Sequence, residues 1–158
     1  MEELILSLVL SSLFFAVLAE SLGNVASLVF KLHQGIEHFD QASQAFLFIQ
    51  QDLKEADWPI QVLNSPDKGL KLNQPGNGQY CGGPILRTVH FSSEGTKMGE
   101  GINRAWYLGK SNGISSLYLW ENGIRQPAVR GIEAWGMSPK LWFESGGERY
   151  VFSEIRKK

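Results

Sequence analysis

The sequence predicts an α+β fold, a long N-terminal α-helix packed against an antiparallel β-sheet domain, and three observations lead there. Apolar residues recur at intervals of three and four from Leu4 to Ala56 with no break of phase, which is the periodicity of one helical stripe. Pro59 then forbids further helix. After it, short apolar and β-branched stretches alternate with Gly-containing connections, the pattern of paired strands. The chain has 158 residues. With about 55 in the rod, roughly one hundred remain, enough for a single core and not for two.

The helix changes character along its length. From Leu4 to Ala19 it is apolar all round, interrupted only by Ser7, Ser11 and Ser12, and Glu20 closes the run. Val25, Leu28, Val29, Leu32, Ile36, Phe39, Ala42, Phe46, Ile49, Leu53 and Ala56 carry the stripe onward. The reading is a membrane-embedded half at residues 1–24, an amphipathic half at 25–57, and a β-rich part at 58–158 that forms one domain with 25–57. Phe39, Phe46, Ile49 and Leu53 are the expected contacts from helix to sheet. Gly23 and Gly35 each weaken the helix by about 1 kcal/mol relative to Ala. Gly23-Asn24 is either a point of local unwinding or a tolerated surface position.

The apolar run, about sixteen residues, is short of the ~20 that cross a bilayer. Extending it to Val25-Ala26 buries Glu20. A secretory signal peptide cleaved after Val17-Leu18-Ala19 is the competing reading. Its first segment is acidic, with no Lys or Arg before Lys31, and the helical pattern continues past the cut. Both facts favour a single-pass anchor.

In the β-rich part, Ile60-Gln61-Val62-Leu63 reads as a short strand. Asn64 to Gly83, rich in Pro and Gly, reads as a long loop around one short strand, Leu70-Lys71-Leu72. Further strands are expected at 85–91, 104–109, 114–120, 128–135, 140–144 and 148–155. Ser111-Asn112-Gly113, Glu121-Asn122-Gly123 and Ser145-Gly146-Gly147 are short enough to join antiparallel neighbours.

Composition and motifs narrow the chemistry. A formal net charge of −1 gives no electrostatic basis for direct nucleic-acid binding. Cys81 is the single cysteine, so no intrachain disulfide forms; it reads as a loop thiol, with a crosslink to another subunit as the alternative. Gly109-Lys110-Ser111 ends like a phosphate-binding loop, but the Gly required five residues earlier is Arg104, and a strand follows instead of a helix. His33 and His38 lie about 140° apart around the helix and cannot share one metal. His90 has no companion at ligand spacing, and no nucleophile elbow is present. No enzyme, cofactor or metal is expected. The aromatic residues, Trp106, Tyr107, Tyr118, Trp120, Trp135, Trp142, Phe143, Tyr150 and Phe152 among them, are mostly core. Arg156-Lys157-Lys158 is a solvated tail.

Glu3-Leu4-Ile5-Leu6-Ser7-Leu8-Val9 resembles the start of type IV pilins and of the pseudopilins of type II secretion, in which a glutamate at the fifth mature position opens a long helix. Gln51-Asp52-Leu53-Lys54-Glu55-Ala56-Asp57 is similar to the helix end of the minor, J-like members. Further on only a loose pattern matches, Tyr118-Leu119-Trp120 followed by Val129-Arg130-Gly131-Ile132-Glu133. The paired cysteines of many major pilins are missing.

The resemblance implies a pilin-like fold and a non-enzymatic subunit of a filament built from the bacterial inner membrane, with the globular part periplasmic. Its partners would be other pilin or pseudopilin subunits, met through Glu3, Leu4, Leu6 and Leu8. A carboxylate inside an apolar segment needs a cation, and in the family that is the α-amino group of a neighbouring mature subunit. Without the resemblance, Glu2 and Glu3 are the watery end of an anchor, helped by the helix dipole. A pilus or competence filament is the alternative within the family, and a membrane-anchored or secreted β-domain binding protein is the alternative outside it. The family's leader, a basic stretch ending in Gly, is not in this sequence. Aligning Glu3 with the fifth mature position makes Met1 an internal methionine. Two mature residues and a leader cut by prepilin peptidase are then expected upstream, with methylation of the new N-terminus.

Overall fold

The computed structural model describes residues 2–57, 60–67, 69–91 and 101–153, with side-chain surroundings from residue 5 onward. Helix α1 runs from Glu2 to Glu55. The chain divides into two compact units, Met1–Glu37 and His38–Lys158. In the first, every side chain from residue 5 to 37 is exposed. The second begins at His38, thirteen residues beyond the boundary that the sequence places at Val25. The stripe residues Val25 to Ile36 are exposed.

Within the second unit, the remainder of α1 lies against two antiparallel sheets. Strands β1 (Gln61–Leu63), β2 (Gln79–His90), β3 (Ile102–Ser111), β4 (Ile114–Glu121) and β5 (Ile124–Arg130) pair in chain order. Strands β6 (Ala134–Gly136), β7 (Trp142–Ser145) and β8 (Glu148–Val151) form a second, three-stranded sheet. The turns Asn112-Gly113, Asn122-Gly123 and Gly146-Gly147 all have positive φ at both central residues. That is the two-residue geometry whose twist matches paired strands, and Asn and Gly reach it at least cost.

Strand β3 sits at the centre, buried on both faces from Ala105 to Gly109. Trp106 and Leu108 join Ala42, Ala45, Ile49 and Leu53 of the helix in one core. Ala105 and Tyr107, on alternate positions, join Leu70, Leu72, Ile85 and Tyr118 in a second core on the opposite face. The 64–78 segment closes that outer core. The Tyr107 hydroxyl donates to the Gly78 carbonyl at 2.8 Å and the Tyr118 hydroxyl to Asn77 Oδ1 at 2.8 Å. Tyr118 fits between Gly78 and Gly109, where an added Cβ would meet its ring at 2.6 Å in either case.

Several elements differ from expectation. Leu70-Lys71-Leu72 is a turn, with Lys71 at φ 48° and both leucines buried as a plug; the positive φ breaks the extended run, although Tyr80 N–H of β2 donates to the Leu72 carbonyl at 3.0 Å. Strand β2 starts at Gln79, inside the expected loop, because register shifts at Tyr80/Gly82 and Gly82/Leu86 keep it on β3 through the glycines. The expected 128–135 strand is divided at Gly131 (φ 78°), so β5 and β6 belong to different sheets. Helix α1 ends at Glu55, where Asp57 N–H turns to the Val89 carbonyl of β2 at 3.0 Å. Trp58, Pro59, residues 154 and 155 of the last expected strand, and the Arg156–Lys158 tail lie outside the described residues.

Ile49 and Leu53 are buried, whereas Phe46 is half-buried and stacks on Phe152 at 4.6 Å. Phe39 is 55% exposed and packs edge-to-face with Tyr150, ring centroids 5.8 Å apart. Ile49→Ala should cost ~2–5 kcal/mol, while Gln50→Ala and Phe39→Ala should each cost under about 1 kcal/mol. Urea unfolding of the full chain in micelles measures this, and equal losses at all three positions would place the buried face elsewhere.

Burial pushes the Tyr107 phenol well above its usual value, with the Arg125 charge opposing only in part. Unfolded, it ionises near pH ~10. Its protonated form therefore stabilises the fold fully below that pH, and this contribution is lost as pH rises through the higher folded value. Tyr107→Phe should thus lose stability less steeply than wild type above about pH 10, measured as urea midpoints across the alkaline range.

Candidate functional site

The first candidate region is the exposed helix of the Met1–Glu37 unit. It is long and apolar enough to cross a membrane, and none of its apolar window is buried. Ser11 Oγ donates to the Ser7 carbonyl and Ser12 Oγ to the Val9 carbonyl, each at 2.8 Å. These hydroxyls need no water, which suits them to a hydrocarbon environment. Of the residues expected at subunit contacts, Leu6 is 64% and Leu8 70% exposed. The side chains of Glu3 and Leu4 lie outside the described residues.

The second region is a carboxylate in the last turn of α1. Asp52 is 3% exposed and sits at the negative end of the helix dipole, an unfavourable place for an anion. Strands β2 and β3 answer it. Thr88 Oγ1 donates to Oδ2 at 2.7 Å and Trp106 Nε1 to Oδ2 at 2.8 Å. Arg104 reaches Oδ1 at 3.0 Å and His90 Nε2 lies 2.9 Å from Oδ1. Arg104 also pairs with Glu121 of β4 at 2.6 Å. Burial opposes the Arg104 charge, but its bonds to Asp52 and Glu121 outweigh this and hold it above its usual value.

Two neighbouring strands build this cluster from positions two apart. Thr88 and Arg104 are direct cross-strand partners; His90 and Trp106 follow at the next positions on the same faces. An apolar-periodicity reading places Trp106 in the core but overlooks the polar cluster around it. The available signal was phase: Ala45, Ile49 and Asp52 follow the three-four spacing of the buried face.

At the other end of the packed helix, buried Ser145 donates to Gln41 Oε1 at 2.8 Å and lies 3.2 Å from His38 Nδ1. With its proton committed to Gln41, Ser145 accepts from His38 N–H. That is the reverse of a base activating a nucleophile. Gly146 is required beneath this imidazole, since a Cβ there would collide with the His38 ring. Cys81 Sγ donates to the Leu108 carbonyl at 3.4 Å, and burial raises its thiol against the pull of Lys110, which disfavours the reactive thiolate. Among the described residues, no group of three His, Cys, Asp or Glu side chains is placed to hold a metal.

No protein-family model, curated protein or solved structure matches the chain.

A chain truncated to residues 35–158 should be soluble and cooperatively folded without detergent, while the full chain should require it. Size-exclusion chromatography and near-ultraviolet circular dichroism check this. Aggregation of the truncated chain would mean that residues 1–34 complete its core.

Proposed function

We propose that this chain is a minor, J-like pilin or pseudopilin, a structural subunit of a filament assembled from the bacterial inner membrane, with its globular part periplasmic. The observation that carries the reading is the length of exposed apolar helix. Residues 5–36 span about 48 Å at 1.5 Å per residue, well beyond the ~30 Å of a hydrocarbon core. Val25, Leu28, Val29, Leu32 and Ile36 are each more than half exposed. A bilayer that covers the first part leaves these residues in water, and another subunit's helix gives their stripe an apolar neighbour.

Glu3 takes the role that the resemblance implies. Its carboxylate, inside the apolar segment of a processed subunit, meets the α-amino group of the next and sets the axial register between the two helices. A buried polar pair adds register specificity more than affinity.

Crosslinking in native membranes tests the proposal. Leu28→Cys, in a Cys81→Ser background and labelled with benzophenone maleimide, should form photo-adducts with a partner subunit on irradiation. Glu3→Ala should leave membrane insertion intact and reduce those adducts several-fold. Modification by lipid-soluble maleimide alone, with no adduct, would leave a membrane-anchored domain without a filament. A mature N-terminus at residue 20 would make the protein a secreted domain.

A further inference from the structure

A cleft of about 610 Å3 opens on the outer face of the five-stranded sheet, between the 69–77 segment and the β4–β5 turn. Lys71, Gln74, Asn77, Trp120, Asn122 and Arg125 supply its side-chain chemistry, and none of the described residues lining it is acidic. Trp120 and Arg125 are cross-strand partners on one face of the sheet. The Arg125 guanidinium is held by main-chain carbonyls: Nη1 donates to the Gln74 carbonyl at 3.1 Å and the Asn77 carbonyl at 3.5 Å, and Nη2 donates to the Lys71 carbonyl. Of the five N–H donors of a guanidinium, two are left over, and none of its three acceptors carries a charge. Asn77 is oriented as well. Its Oδ1 accepts from Tyr118, which leaves its two N–H donors as its remaining polar function.

The lining therefore combines an indole, a guanidinium fixed without a carboxylate counter-charge, a lysine held at positive φ and oriented amide donors. It is rich in donors and poor in negative charge. We propose that this cleft binds an acidic saccharide, a carboxylate-bearing sugar ring whose apolar face lies on Trp120. Its carboxylate meets Lys71 and Arg125, and its hydroxyls meet the amides of Gln74, Asn77 and Asn122. The volume lies within the range of small-ligand sites. Amide donors from Gln74, Asn77 and Asn122 beside the Lys71 and Arg125 cations suit a ring that carries both hydroxyls and a carboxylate. The proposal stands apart from the filament reading and uses no residue of α1.

Isothermal titration of the full chain tests it, in lauryldimethylamine oxide micelles, because sugar-headed detergents would compete. Trigalacturonic acid should bind saturably, and neutral galactotriose and adenosine monophosphate should bind about tenfold more weakly or not at all. Lys71→Asn keeps a residue that tolerates positive φ and should lose at least about fivefold in affinity, whereas Lys71→Arg should retain it. Absence of saturable heat with trigalacturonic acid overturns the proposal. Equal binding of galactotriose or adenosine monophosphate overturns the ligand class, and undiminished binding by a folded Lys71→Asn variant overturns the location.

Discussion

The carboxylate of Asp52 is the constraint on which the packed unit depends. An ion this deeply buried costs several kcal/mol unless its oxygens are satisfied, and the helix dipole adds to the penalty at this end. Only a helix held in one rotation and one axial position brings those oxygens to Thr88, His90, Arg104 and Trp106 together. The apolar contacts of Ala45, Ile49 and Leu53 supply burial, but apolar surfaces slide at small cost. The charge supplies the register. Because its partners come from β2 and β3, and Arg104 continues to Glu121 on β4, the same contact fixes the helix against three consecutive strands.

A second polar contact, Ser145 with Gln41 and His38, secures the opposite end of the packed helix, and the apolar core lies between the two. The sheet also carries a core on its other face, closed by a segment with little regular structure. Two tyrosine hydroxyls and one arginine tie that segment down through its backbone and Asn77. Turn-rich sequence is thus held largely by side-chain donors, to which Tyr80 N–H of β2 adds a backbone bond to the Leu72 carbonyl.

Much of the fold is legible in the sequence because local physics decides it. Asn112-Gly113 and Asn122-Gly123 announce tight hairpins, and the three-four spacing announces the helix. What escapes depends on tertiary context. Leu70 and Leu72 read as a strand because both are apolar and alternate, yet they are a plug, because Lys71 between them turns the backbone at positive φ. Gly82 and Gly83 read as loop, although shifts in register carry β2 through them. Asp52 stands out in the sequence only as part of a helix end; its burial is decided by strands 36 to 54 residues away in sequence. The exposed stripe at Val25–Ile36 reads as part of a packed domain because periodicity shows that a face is apolar, not what covers it.

These two halves of the helix carry opposite demands, one face satisfied inside the globular unit and a long apolar surface left exposed. Hydrogen exchange of the full chain in bilayer nanodiscs, comparing wild type with Asp52→Asn, tests the claim that the buried carboxylate sets this division. In wild type, amides 42–53 should share the slowest exchange class with those of β3. In the variant, protection of 42–53 should fall by at least about tenfold while the β4–β5 hairpin keeps its own. Undiminished protection of 42–53 in Asp52→Asn would contradict the account, because apolar packing alone would then be holding the helix in place.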